Sequence, residues 1–179
     1  MSKIYYIRHG QSEANLQQIF AGSRIDSPLT ELGRQQAKAA SADIKARGLK
    51  FDHVYVSPLA RAQETCQIIL QAINHKDTPI TDKRLKEYDM GSRTGSPNIG
   101  YLSAVELQKS DEAESAADFR LRVKTFMDEV SALEGTVLIC AHSFVLRMIQ
   151  TIIDDAEPTT FCDIQQAKNA TLIEIDYST

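Results

Sequence analysis

The six residues Thr136-Val137-Leu138-Ile139-Cys140-Ala141 constrain this chain more than any other stretch. A strand with one wet face alternates apolar and polar residues, whereas a short continuous apolar run marks a strand covered on both sides. The surrounding pattern supplies the cover. Residues 3–7, Lys-Ile-Tyr-Tyr-Ile, read as a strand that runs into the charged string Arg8-His9-Gly10. Residues 30–48 read as a helix, with Leu32, Ala37, Ala40 and Ile44 on its inner face and Gly48 beyond its end. His53-Val54-Tyr55-Val56 reads as a second strand, followed at once by Ser57-Pro58 as N-cap and first helical position. The helix so opened lines up Leu59, Ala62, Cys66, Ile69, Leu70 and Ile73 on one stripe. A further helix near 116–134 buries Phe119, Val123, Phe126, Met127, Val130 and Leu133, another follows over 144–153, and 171–176 forms a last strand. Strands alternating with helices predict an α/β domain, three layers α-β-α around a mostly parallel sheet.

Composition narrows the class further. A length of 179 residues suits one domain over 1–179, long enough to bury a core without disulfides or metals. The net charge of −4 argues against a broad nucleic-acid-binding face, so an anionic ligand must be held by a few focused cations. No run approaches the ~20 apolar residues of a membrane helix. The start Met-Ser-Lys-Ile-Tyr-Tyr lacks the apolar stretch of a signal peptide, so a cytoplasmic protein is expected. Cys66, Cys140 and Cys162 show no C-x-x-C spacing, which predicts neither a disulfide framework nor a metal site; Cys66 and Cys140 read as core. From 88 to 101 three glycines and a proline break the pattern, ahead of a polar 108–118 stretch. An irregular flap at about 88–118, leading into a short helix, is expected there.

In parallel sheets ligands bind beyond the carboxyl ends of the strands. Three predicted strand ends carry Arg8-His9-Gly10, Ser57-Pro58-Leu59-Ala60-Arg61 and His142-Ser143. Guanidiniums offer paired donors to phosphate oxygens, and glycine lets backbone approach a ligand closely. A neutral imidazole whose other nitrogen is held by an acceptor is a competent nucleophile toward phosphorus. Arg61 falls in the first turn of a helix, where unpaired N–H groups already favour an anion. His142 is read as a protonated donor to a phosphate oxygen, and Asn15 as an added neutral amide donor. A departing alkoxide needs a proton, and Glu87 and Asp89 are both candidates; two residues apart in an extended stretch, they face the same side, and spacing does not choose between them.

Five blocks in order resemble the histidine phosphatase superfamily, with its phosphoglycerate mutase-like fold. The string from Arg8 to Asn15 is similar to R-H-G-x-[ST]-x-x-N, and the stretch from Asp26 to Ala37 to D-x-P-L-[ST]-x-x-G-x-x-Q-A. The run from Ser57 to Thr65 resembles S-P-L-x-R-A-x-x-T; Leu85, Glu87 and Gly91 match L-x-E-x-x-x-G; His142 follows a buried strand as the family's second histidine does. The resemblance implies that His9 forms a phosphohistidine, that Arg8, Arg61, His142 and Asn15 hold the phosphoryl group, and that Glu87 rather than Asp89 is the proton donor; Ser143, next to His142, is a further phosphate-binding candidate of this chain's own. It implies no metal and no cofactor. Arg93 and Thr94 depart from the family's flap pattern, and Ser143 stands where glycine is common. Arg93 is read as a solvated loop residue rather than a second anion site. The expected activity is phosphomonoester hydrolysis of a small phosphorylated metabolite, with no nucleic-acid or membrane partner. The alternatives are phosphoglycerate mutase-type transfer and a non-catalytic module that binds phosphorylated ligands.

Overall fold

A computed structural model, describing residues 2–98 and 110–177, places five strands in one sheet. In chain order the elements are β1 (Lys3–Arg8), α1 (Glu13–Leu16), α2 (Glu31–Ala46), β2 (His53–Val56), α3 (Ala60–Ala72), β3 (Ile80–Thr81), α4 (Ala116–Ser131), β4 (Thr136–Ala141), α5 (Ser143–Ile153) and β5 (Leu172–Ile175). The sheet order is β3-β2-β4-β1-β5, parallel except for the antiparallel edge strand β5. The apolar run of β4 lies at the centre, between β2 and β1, and Val137 to Ala141 are at most 1% exposed.

Alternation along the strands divides the core in two. Tyr6, Val137 and Ile139 face Phe119, Val123, Phe126, Met148 and Ile149 from α4 and α5. Tyr5, Ile7, Leu138 and Cys140 face Ala40, Ile44, Cys66 and Ile69 from α2 and α3. Helices therefore cover both faces, the three-layer α/β arrangement expected from the apolar run. No described helix is long and apolar enough to cross a membrane.

Two local expectations change. Ser57 does not cap α3: the helix starts at Ala60 behind Leu59, which makes no side-chain cap, and Asp26 Oδ1 accepts from Ala60 N at 2.7 Å instead. Ser57 sits one residue past the strand end, too early for the helix, and its hydroxyl meets His142. Leu32 is 49% exposed rather than core. Gly33 takes the inner position, because a Cβ there would lie 2.1 Å from the Gln11 carbonyl oxygen, and one on Gly10 would lie 2.3 Å from that of Gly33. This close approach seats the first turn of α2 against the loop after β1. In the flap, residues 91–93 form one 3₁₀ turn, entered through Gly91 at φ +55°. The flap's further course over 99–109, with the short helix expected there, falls outside the described residues.

Candidate active site

Strand register puts three chemically important residues side by side. Arg8 of β1 pairs with Ala141 of β4, and Val56 of β2 pairs with Cys140, so His9, His142 and Ser57 each stand just beyond adjacent strand ends. His9 N donates to Ala141 O at 3.0 Å and Ser57 N to Cys140 O at 3.0 Å, extending the ladder into the site. The rings of His9 and His142 lie 5.2 Å apart in edge contact.

Hydrogen bonding sets the tautomer of each ring. His9 Nδ1 lies 2.7 Å from the Gly10 carbonyl oxygen, which can only accept. Nδ1 therefore carries the proton and Nε2 keeps its lone pair. The backbone around His9 is fixed as well, since Asn169 Nδ2 donates to its carbonyl at 2.8 Å and Gly10 N to Thr65 Oγ1 at 3.0 Å. His142 Nε2 lies 2.7 Å from Ser57 Oγ. That oxygen also accepts from Leu59 N at 3.4 Å and keeps both its O–H and a second lone pair for Nε2. In the tautomer where Ser57 donates, Nδ1 of His142 bears the proton, and that atom is buried with no hydrogen-bond partner among the described residues. The Tyr6 hydroxyl pins the residue by accepting from His142 N at 2.9 Å and donating to His142 O at 2.7 Å. Burial, then Arg61 and other neighbouring charges, hold both imidazoles well below the ordinary 6.5, so both are neutral at pH 7.

The arginines are held by groups that do not cancel their charge. Arg61, 2% exposed, donates to Ile25 O at 2.9 Å and Gly22 O at 2.8 Å. Arg8 donates to Ala167 O at 2.7 Å and, with the Gln166 amide oxygen facing it, to that oxygen at 2.8 and 2.9 Å; its Nε is buried without a partner. Burial lowers the Arg8 pKa to about 10, and Arg61 is lowered by the same cause. Both remain cations at neutral pH.

These residues line a cavity of about 310 Å³. Asn15 reaches it from α1, its side-chain oxygen occupied by Ser12 N at 3.1 Å, which leaves the amide N–H groups to donate. The Ser143 hydroxyl is buried there without a hydrogen-bond partner among the described residues. Glu87 lines the same cavity, with Oε1 accepting from Tyr88 N at 3.0 Å and Oε2 from Phe144 N at 3.3 Å. Asp89 does not line it; Arg24 holds its carboxylate at 2.6 Å. Geometry thus separates the two carboxylates that spacing left equivalent. Arg93 is not among the described residues that line the cavity. The residues that sequence reasoning missed are Arg147 and Gln166. A signal for Arg147 was present, since it lies four residues after Ser143 and so on the same helix face. Among the described residues no group of three or more His, Cys, Asp or Glu side chains is arranged to hold a metal.

Comparisons with known proteins bear on the family and the fold. The family model of the histidine phosphatase superfamily (branch 1) matches residues 4–179. A 2,3-bisphosphoglycerate-dependent phosphoglycerate mutase of Mesorhizobium japonicum is 52% identical over 90 residues, covering 50% of this chain but only 43% of the relative. The enzyme of the same name from Brucella ovis is 50% identical over 169 residues, covering 85% of this chain and 81% of the relative. Among solved structures, a mycobacterial glucosyl-3-phosphoglycerate phosphatase superposes with a TM-score of 0.81 at 20% identity, covering 98% of this chain and 93% of that one. Bacillus stearothermophilus YhfR superposes with a TM-score of 0.81 at 25% identity, covering 98% and 92%.

Proposed function

The chain belongs to the histidine phosphatase superfamily, branch 1, and on that premise we propose that it is a metal-independent cytoplasmic phosphomonoester hydrolase acting on a small phosphorylated metabolite. The observation that carries the reading is an uncharged His9 with a free Nε2 lone pair, set beside two guanidiniums that make no ion pair among the described residues. In the first step Nε2 attacks phosphorus, the P–O ester bond breaks, and Glu87 gives its proton to the departing alkoxide. In the second, water attacks the phosphohistidine, the P–N bond breaks, Glu87 takes the water proton, and phosphate leaves. Arg8, Arg61, His142 Nδ1–H, Asn15 and Ser143 hold the phosphoryl oxygens through both steps. Donors fixed before the reaction need not reorganise during it, which is where most of the rate enhancement arises.

Phosphoglycerate mutase-type transfer is the second reading, favoured by the names of the curated relatives. It shares the first step and differs in keeping the phosphohistidine from water. Turnover of 3-phosphoglycerate in excess chelator separates the two: the proposal expects free phosphate, and efficient isomerisation to 2-phosphoglycerate with negligible release would replace it. With p-nitrophenyl phosphate, His9→Ala is expected to abolish turnover and the acid-labile phosphoenzyme, and full activity in that variant refutes the mechanism. Glu87→Gln is expected to slow alkyl phosphates by ~10²–10⁴-fold while sparing aryl phosphates, whose leaving oxygen hardly needs a proton. Equal loss on both classes removes Glu87 from the acid role.

A further inference from the structure

Ser57 opens the S-P-L-x-R block, yet it neither caps α3 nor is among the described residues that line the cavity. It is 0% exposed, a place where a hydroxyl is costly unless it is bonded. Its backbone is fixed on both sides. Ser57 N donates to Cys140 O at 3.0 Å, Gln63 Nε2 donates to Ser57 O at 2.7 Å, and Pro58 restricts the residue before it to extended backbone. The direction of the side chain therefore follows from the register of β2 against β4, and that register aims it across the strand ends at His142.

The His142 backbone is held twice by the Tyr6 hydroxyl, but its ring has a single hydrogen bond among the described residues, Nε2 to Ser57 Oγ at 2.7 Å. Two arrangements of a neutral ring satisfy that contact, and they differ in what they leave unpaired. If Nε2–H donates to Ser57, the serine O–H has no acceptor among the described residues, and the Nδ1 lone pair is buried unpaired as well. If Ser57 donates to Nε2, its oxygen still accepts from Leu59 N at 3.4 Å, and a single donor, Nδ1–H, is left over. Each buried polar group without a partner costs free energy, so the second arrangement is favoured. The difference matters beside a phosphoryl group, because a leftover lone pair repels an oxyanion and a leftover N–H meets it. The His142 and His9 rings lie 5.2 Å apart, close enough for an oxygen of a group on one to reach an N–H of the other.

On the reading of the His9 end as the phosphoryl site, we infer that Ser57 is a positioning residue for phosphoryl transfer: its hydroxyl donates to Nε2 and holds His142 as a neutral Nδ1–H donor to the phosphoryl oxygens. Ser57 sets both the tautomer and the plane of the ring without touching substrate. The oxyanion then meets a dipole fixed in advance, in place of the protonated histidine expected from the sequence. Burial first, and then Arg61, His9, Arg8 and Arg122, act against protonation of the ring.

Nitrogen-15 NMR of the histidine rings at pH 7 tests this, since it distinguishes protonated ring nitrogens from bare ones. Wild-type His142 is expected to show Nδ1–H and a bare Nε2; Nε2–H, or protons on both nitrogens, overturns the proposal. Ser57→Ala is expected to move His142 toward the Nε2–H form, which a free imidazole prefers. It is also expected to lower kcat for p-nitrophenyl phosphate ~10–100-fold, the scale for a group that orients another. Alkyl phosphates are expected to lose the same factor, because the defect lies at the phosphoryl group and not at the leaving oxygen. Ser57→Thr, which keeps the hydroxyl, is expected to recover the wild-type tautomer and most of the rate. A slower Ser57→Ala enzyme with an unchanged tautomer overturns the proposal, because it marks a structural role; a changed tautomer with full activity overturns it too. Inorganic phosphate titrated into wild-type protein needs no variant to fold, and the His142 Nδ1–H proton is expected to move downfield as it gains an acceptor. If phosphate shifts the His9 ring and leaves His142 unmoved, the role of Ser57 fails alone. If neither ring responds and calorimetry finds no phosphate binding, the phosphoryl site fails and this proposal with it.

Discussion

Arg122 and Arg61 are the same side chain in opposite company. Arg122 grips both oxygens of Glu114 at 2.6 and 2.9 Å, donates to the carbonyls of Arg84 and Lys86, and lies 4.5 Å over the Phe119 ring. Its charge is spent inside the protein, on fixing the segment that leads to Glu87. Arg61 has two carbonyls and no carboxylate. Neutral acceptors fix a guanidinium in place without cancelling its field, so the charge remains available to an incoming anion. The difference teaches that the partner, more than burial, separates a structural arginine from a ligand-binding one, since both are largely covered.

The largest way to break the comparison is Arg61→Met. If its charge is reserved for the phosphoryl group, kcat/KM for p-nitrophenyl phosphate is expected to fall ~10³-fold, the scale of losing a fixed donor to developing charge. The melting temperature is expected to hold or rise, because an uncompensated buried charge has been removed. Activity within tenfold of the parent, or a melting point several degrees lower, would place Arg61 with Arg122. The converse variant, Arg122→Met, is expected to cost ~3 kcal/mol in urea unfolding, since it strands Glu114 and releases the carbonyls of the 84–86 segment. Its folded fraction is expected to lose far less aryl phosphatase activity than Arg61→Met does. A larger activity loss with unchanged stability would show that the pairing with Glu114 is incidental.

How much of this was legible in the sequence depends on the range of the interaction that decides each feature. The limits of β2 and β4 follow from local pattern, because an apolar run and its punctuation are properties of neighbouring residues. The D-x-P-L-[ST]-x-x-G block is legible as a motif, but its purpose is not. Only the fold shows that Asp26 caps α3, that Gly33 lets the loop after β1 approach, and that Gln36 accepts from Gln11 N at 2.8 Å. Ser57 was misread for the same reason. A serine before proline at a strand end has the local signature of a helix cap, and its partner, His142, is 85 positions away. Arg147 carries a helical-spacing signal, yet most arginines at such spacing are solvated. What sets it apart is its place on the cavity wall beside Phe144, which a sequence cannot display.

The smallest of the expected effects sharpens the comparison through the two histidines that lie among the unpaired arginines. Both have pKa values well below 6.5 in the folded state, through burial first and Arg61 second. Unfolding returns each to the ordinary value, so below pH 6.5 the unfolded chain binds more protons than the native one. Stability therefore falls as pH falls through and below 6.5. The opposite sign, a protein that gains stability over that interval, would mean that these rings are protonated in the fold and that His9 has no lone pair to use. Arg61→Met removes the second cause and leaves burial in place, so its acid slope is expected to be shallower than the parent's, while Arg122→Met, which removes only the smallest of the charges acting on His142 and none that acts on His9, is expected to stay closer to the parent's slope on a lower baseline. If the two variants shift the slope equally, then a carboxylate partner does not shield a guanidinium's field at this distance, and the distinction between the two arginines reduces to their hydrogen bonds.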